Sequence, residues 1–255
     1  MERLVDLLNE YESKYNRRAF IKEDPICVPH RFDKKQDIEI AGFIAAIFAW
    51  GLRKTIINKS SDFLSRMGES PHEFILNHSP EERLVFSDFV HRTFQPVDAY
   101  TFVEFLQNHY RKYDSLEMAF TQHLSPGDES VKDALSQFHM YFLNTSGAMK
   151  RTMKHVATPA RKSTCKRLNM FLRWMVRKDD RGVDFGLWKD ISPTQLCIPL
   201  DVHVERVARN LHLLKRKSID WQSVMEIMDE LKKIDSRDPV KYDFALFGMS
   251  LEGRF

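Results

Sequence analysis

Asp37-Ile-Glu-Ile-Ala-Gly-Phe-Ile-Ala-Ala-Ile-Phe-Ala-Trp50 is nearly continuously apolar. A run of that length exceeds an ordinary strand and fits a helix buried on every side. Asp37 is placed as its N-cap, with Glu39 in the first turn. Gly51 breaks the pattern, and a second helix is expected from near Arg53 to Met67. Ser70-Pro71 opens a short third one, with Pro71 in the favoured first-turn position. Working outward, Leu4, Leu7, Leu8 and Tyr11 give an amphipathic helix at the start of the chain. Residues 97–111, 114–124 and 128–144 repeat the three-and-four spacing, with Pro126-Gly127 as a stop between the last two. Leu168, Phe171, Leu172 and Met175 form one stripe, which predicts a helix over 165–178 with Lys166 in its first turn. From Asp179 to Leu200 the chain is irregular and carries Gly182, Gly186, Pro193 and Pro199. Helices resume at 201–211, 220–234 and 238–250, with Asp220 and Asp238 as caps for the last two. No strand pair and no internal repeat stands out, so the fold class is all-α.

Composition agrees with a folded helical protein. Of 255 residues, 43% are hydrophobic and 29% charged, and the nine glycines are too few for a turn-rich β-protein. No Ser/Gly-rich tether separates independent modules, so one domain over 1–255 is expected. Cys27, Cys165 and Cys197 are odd in number and far apart, the usage of a reducing compartment. They lack the spacing of a zinc or iron-sulfur site, so neither a metal nor an organic cofactor is expected. The start of the chain has no signal-peptide core, and no run of about 18 apolar residues would cross a membrane. A cytoplasmic protein without a membrane partner is expected.

The net charge is only +3 and the isoelectric point about 8.6. Cations nevertheless cluster between Lys150 and Arg181, where Arg151, Lys154, Arg161, Lys162, Lys166, Arg167, Arg173, Arg177 and Lys178 are opposed only by Asp179 and Asp180. Such clustering suits phosphate binding, although a solvated helix face has the same composition. Walker, Rossmann and His-Glu-x-x-His signatures are absent, and the ten histidines have no ligand spacing. What remains is Lys166 at a helix start and the segment Ile198-Pro-Leu-Asp-Val-His-Val-Glu-Arg-Val207. An amine can attack a sugar C1′ and displace a base through a Schiff base, provided it is neutral; desolvation or a nearby cation such as Arg167 favours that form. A carboxylate beside it stabilises the cationic sugar and shuttles protons. Asp201 has the right chemical type, and it is equally an ordinary helix cap.

The segment Ile198 to Leu211 resembles the aspartate-bearing helix start of the helix-hairpin-helix DNA glycosylases, the superfamily of endonuclease III and 8-oxoguanine glycosylase. Cys165-Lys-Arg-Leu-Asn-Met-Phe-Leu172 sits where those proteins carry the catalytic lysine, and Asp37 to Asp62 looks like their early buried helix and the polar helix after it. With Asp184-Phe-Gly-Leu-Trp188 and Asp238-Pro-Val-Lys-Tyr-Asp-Phe-Ala-Leu-Phe247, the chain looks like an uncharacterised bacterial family, itself similar to the archaeal GO glycosylases that remove 8-oxoguanine. The long separation of Lys166 and Asp201 points the same way. The resemblance spans about residues 37–250, and the Asp201 region is its specific part. One departure stands out. The superfamily hairpin carries glycines that let backbone N–H groups cradle a phosphate, whereas Ala160-Arg-Lys-Ser-Thr-Cys165 has none. Either Arg161, Lys162 and Ser163 supply side-chain contacts instead, which is the favoured reading, or the hairpin no longer holds DNA.

The resemblance implies a helix-hairpin-helix glycosylase-like fold with a degenerate hairpin and two helical lobes flanking a groove, lobe A over about 40–135 and lobe B over about 1–39 plus 136–255. It implies a monomeric, bifunctional DNA glycosylase/AP lyase acting on double-stranded DNA with an oxidised purine, 8-oxoguanine first. Lys166 would be the nucleophile and Asp201 its partner. Arg161, Lys162, Ser163, Arg167, Arg53 and Lys54 would contact DNA. A base pocket and a wedge are also needed, and Trp50, His91, Arg92, Phe94, Trp174, Trp188 and Phe244 are the candidates. Two alternatives stay open: a non-catalytic helical module binding nucleic acid or protein on a decayed glycosylase scaffold, and a monofunctional glycosylase that uses Asp201 only.

Overall fold

A computed structural model describes residues 2–144 and 149–254. In chain order the α-helices are α1 (Glu2–Tyr15), α2 (Arg18–Ile21), α3 (Lys35–Ile47), α4 (Arg53–Ser65), α5 (Pro71–Asn77), α6 (Pro96–Tyr110), α7 (Met118–Thr121), α8 (Lys132–Leu143), α9 (Lys166–Val176), α10 (Val202–Asn210), α11 (Trp221–Ile234) and α12 (Asp243–Leu251). Short 3₁₀ turns join several of them. Among the described residues the strand-like pairing is one isolated bridge, His91 with Phe94. The fold is all-α. No helix among the described residues is long and apolar enough to cross a membrane.

The chain divides into two compact units. The first comprises Met1–Lys22, Leu124–Leu135 and Thr158–Phe255; the second comprises Glu23–His123 and Ser136–Ala157. These limits differ from the 1–39/40–135/136–255 division expected from sequence. The 3₁₀ turns Pro25–Cys27 and Pro29–Arg31 pack on α3, and the turn Thr152–His155 packs on α6, which draws residues 23–39 and 136–157 into the second unit.

In the second unit α3 is buried from Asp37 to Ile47, which explains the unbroken apolar run. Asp37 is not its N-cap: Lys34 stands there, and the Asp37 carboxylate accepts the His72 N–H in the first turn of α5 at 2.7 Å. It caps a neighbouring helix instead of its own. Glu39, also buried, accepts from Tyr110 Oη at 2.8 Å, Ser115 Oγ at 2.5 Å and Leu116 N at 3.0 Å, so three donors compensate its lost hydration.

In the first unit α9 buries every residue from Leu168 to Val176. Helix α11 starts as expected at Asp220, whose carboxylate accepts Ser223 N at 3.1 Å. Asp238, by contrast, makes no cap. Residues Pro239–Tyr242 form a 3₁₀ turn before α12, and the Asp238 carboxylate takes Arg177 Nε at 2.9 Å. Gly248 of α12 faces the Tyr15 ring of α1 so closely that any side chain there would collide with it.

Candidate functional site

Two segments of the first unit bring the expected pair together. The 3₁₀ turn Pro159–Arg161 leads into Lys162, whose φ is +61°, and Cys165 has φ +52°. Both are left-handed conformations that normally belong to glycine. The glycine-free stretch 160–165 therefore turns sharply twice, with two L-residues held in that conformation by their surroundings. Cys165 N donates to Ser163 Oγ at 3.1 Å, and Trp221 N donates to the Lys162 carbonyl at 3.2 Å, which pins the turn to the start of α11. Helix α9 begins at the next residue, Lys166.

Asp201 caps α10. Its Oδ1 accepts His203 N at 2.9 Å and Val204 N at 3.1 Å, which leaves Oδ2 to face the Lys166 Nζ at 3.9 Å. Each side chain of the pair is about a quarter exposed, at 24% and 26%. A clip between the segments sets this approach. Thr164 Oγ1 donates to the Leu200 carbonyl at 3.2 Å, and buried Asn169 donates from Nδ2 to the Thr164 carbonyl at 3.0 Å. The residue before Asp201 is thereby tied to a residue just ahead of Lys166. Sequence reasoning missed both Thr164 and Asn169, because their role depends on a contact across the long loop 179–200.

The surroundings separate the remaining candidates. Arg161 and Lys162 are exposed, and Ser163 and Arg167 are half-buried. Desolvation pushes the Arg167 guanidinium down to about 10. Burial pushes the thiols of Cys165 and Cys197 up to about 12, so both stay protonated and neither offers a thiolate. Arg173 and Arg177 correct the reading of 150–178 as one phosphate-binding run: they are 4% and 2% exposed. Arg173 pairs with Asp184, at 3.3 Å, and with Asp243; Arg177 pairs with Asp184 at 3.1 Å, Asp238 at 2.9 Å and Asp179 at 2.8 Å. These arginines neutralise buried carboxylates and have no face for a phosphate.

Trp174, Trp188 and Phe244 are core residues of the first unit. Trp188 packs edge-on against Phe171 with centroids 5.3 Å apart, and Phe244 lies 4.3 Å beneath the Arg173 guanidinium. An intercalating wedge needs exposure, which all three lack. The other candidates belong to the second unit. Phe94 and His91 are buried there, with His91 Nε2 donating to the Phe48 carbonyl at 3.1 Å. Trp50 is half-buried between His91, at 4.7 Å, and His155, at 5.8 Å. Arg92 is exposed, has φ +55°, and its guanidinium fills the space a Cβ would need at Gly51, whose φ is +103°. Arg53 and Lys54 form the first turn of α4, and Leu52 before them is 78% exposed. Leu52 escaped the sequence reading because one leucine carries no periodic signal. No cluster of three or more metal-ligating side chains occurs among the described residues.

The chain belongs to the family described as protein of unknown function (DUF2400), whose profile matches residues 24–252. No curated protein and no solved structure matches the chain.

Proposed function

We propose that this protein is a DNA glycosylase with AP lyase activity that excises an oxidised purine, 8-oxoguanine foremost. The observation that carries the reading is the approach of Lys166 Nζ to Asp201 Oδ2, 3.9 Å apart and partly open to solvent, at the two places where the resemblance to helix-hairpin-helix glycosylases calls for a lysine and an aspartate. In this reading the Lys166 amine attacks C1′ of the damaged nucleotide, and the glycosidic bond breaks with its electron pair leaving on the base. Proton loss from nitrogen and opening of the sugar ring give the Schiff base, and β-elimination then cleaves the strand. The Asp201 carboxylate stabilises the cationic sugar, and its anchored Oδ1 keeps Oδ2 aimed at the reacting centre. Arg161, Lys162, Ser163 and Arg167 contact phosphates.

Borohydride trapping on a duplex with one 8-oxoguanine opposite cytosine tests this. A covalent adduct in the wild type, absent in Lys166→Gln and reduced at least about a hundredfold in Asp201→Asn, is the expected result. A second reading, a non-catalytic nucleic-acid-binding module, draws on the same aspartate: two N–H donors already occupy Oδ1, so helix capping is a sufficient reason for its presence. Tight duplex binding without any adduct on 8-oxoguanine or other lesions would select it.

A further inference from the structure

Residues 211–220, between α10 and α11, are unused by the chemistry described so far. Leu213 and Leu214 are buried and anchor the segment, while Lys215, Lys217 and Ser218 are exposed. Charged groups brace its backbone from both sides. Glu226 of α11 accepts Lys215 N at 2.8 Å and Arg216 N at 3.3 Å, one on each carboxylate oxygen. Arg209 of α10 donates to the Arg216 carbonyl at 2.6 Å and to the Lys217 carbonyl at 3.1 Å. Arg209 also pairs with Glu205 at 2.9 Å, and Arg216 with Asp220 at 2.9 Å. The carboxylates of Glu205, Asp220 and Glu226 are thus taken up by arginines or backbone N–H groups. Lys215 and Lys217 have no ion-pair partner among the described residues. Arg161 and Lys162, in the turn before α9, are in the same state. Trp221 N, donating to the Lys162 carbonyl at 3.2 Å, joins that turn to the end of this loop. Lys217 is four residues from Trp221, a span of at most about 14 Å. Residues 160–163 and 205–226 together carry seven cations and three carboxylates, in a chain whose net charge is only +3. The positive charge is concentrated here.

We infer that the loop Lys215–Ser218 is a second phosphate-binding segment, which with the turn Arg161–Ser163 forms one surface for the sugar-phosphate backbone of double-stranded DNA. The inference rests on the DNA-binding part of the glycosylase reading and extends it beyond that turn; it needs no reaction. Rigidity is one reason. A cation on a braced backbone has only its side chain to order on binding, whereas a loose loop must be ordered as well. Charge is another. A free lysine that neutralises a phosphate releases a condensed counterion, whereas a paired one must first give up its carboxylate. The span between the segments is also shorter than one turn of a duplex, about 34 Å. A protein partner would call for an aromatic or apolar anchor amid the charges. Ile219, at 39%, is the single large apolar side chain exposed in the two segments, where Ser163 and Ser218 add hydroxyls suited to phosphate oxygens.

Fluorescence anisotropy of a labelled, undamaged duplex titrated with the full chain, between about 50 and 200 mM salt, tests this. The slope of log K against log salt is expected to shrink by about 1.8 in Lys215→Gln/Lys217→Gln, and by about as much in Arg161→Gln/Lys162→Gln. Lys233→Gln removes a charge near the opposite end of α11, roughly 18 Å from Trp221, and should leave the slope unchanged. An unchanged slope in Lys215→Gln/Lys217→Gln overturns the inference, as does a loss of about 0.9 in Lys233→Gln, which would mark a diffuse charge effect. A wild type that binds poly-glutamate through these lysines and ignores the duplex also overturns it, in favour of an acidic protein partner. Trapping on the 8-oxoguanine duplex separates the two readings. The expected slope change with no adduct from the wild type would sink the glycosylase reading and leave the surface standing; an adduct with an unchanged slope would do the reverse.

Discussion

The two units solve the problem of an interior in different ways. The second packs phenylalanine on phenylalanine: Phe48 stacks on Phe89 at 5.5 Å, Phe63 lies 4.5 Å from Phe86, Phe94 5.4 Å from Phe102, and Phe120 stacks on Phe138 at 4.1 Å. The first places two arginines and several aspartates at a comparable depth, in the chain of pairs from Asp243 through Arg173, Asp184 and Arg177 to Asp238. Hydrocarbon packing is non-directional and indifferent to pH. A buried ion pair is neither: it is costly unless each partner stays in place, so it fixes geometry more than it adds stability. In the first unit this ionic interior runs along the helix bearing Lys166, whereas the second unit sets separate buried carboxylates, Glu39 and Asp98, into its phenylalanine core.

The sharpest way to break that contrast is to remove one anchor from each interior. Arg177→Met leaves Asp184 and Asp238 short of a partner and should cost about 3–5 kcal/mol at neutral pH, with a smaller loss in acid. Phe63→Ala in the second unit should cost a similar ~3–5 kcal/mol, by cavity formation, with the same loss at both pH values. Urea unfolding across pH measures both. Equal pH dependence of the two variants would erase the distinction.

Two buried aspartates carry the contrast into acid with opposite signs. Burial pushes Asp98 up, but hydrogen bonds from His155, Thr152 and Gln95 N and the His155 charge outweigh it and hold the group at about 2. Its folded value lies below the unfolded one, so its contribution is complete above about pH 4 and is lost as pH falls toward 2. Asp243 has a folded value raised to about 6. The native state then holds the extra proton between about pH 4 and 6, and stability falls by roughly 1–3 kcal/mol as pH rises through that window. Asp243→Asn should remove this second slope and leave the first; retention of the slope would assign it to another group.

Smaller effects sharpen the picture of the first unit. Gly248→Ala should cost about 1–3 kcal/mol through collision with the Tyr15 ring. Gly68→Ala in the second unit meets no neighbouring atom, and only its positive φ opposes the change, so about 1 kcal/mol is expected. Thermal melts rank them. Thr164→Val should cost about 1 kcal/mol of stability and slow adduct formation by more than that loss explains, with Thr164→Ser restoring both. Smallest of all, Lys162→Gly should raise stability by about 0.5 kcal/mol, because glycine relieves the left-handed backbone at an exposed position. A loss would show that side-chain contacts outweigh the strain.

Reading the sequence succeeded where one face of a helix decides the outcome. The stripe Leu168, Phe171, Leu172 and Met175 places α9 within two residues of its limits, and Asp201 and Asp220 cap as their positions imply. It failed where a side chain serves a neighbour in space. Asp37 caps α5 instead of α3, and Asp238 holds Arg177 instead of a helix end. A carboxylate before a helix looks the same in all three roles. The aromatic candidates failed similarly: Phe94, Trp174, Trp188 and Phe244 differ from half-buried Trp50 by burial, which composition around one ring does not reveal. The cap that Asp201 forms was legible; the pairing of Asp243 with Arg173 was not, since no local pattern distinguishes Asp243 from Asp238 five residues earlier.

What the sequence by itself determined is the all-helical class, the starts of α9, α10 and α11, and the chemical types at positions 166 and 201. Periodicity and capping act within a turn or two of helix, so their causes lie in adjacent residues. What only the tertiary structure decided is that Lys166 and Asp201 meet, that the Thr164–Leu200 hydrogen bond sets their approach, and that Arg173 and Arg177 face inward. Those outcomes depend on how an irregular loop closes and on which buried charges must find each other in a medium that shields them poorly, and neither condition is written in any short stretch of the chain.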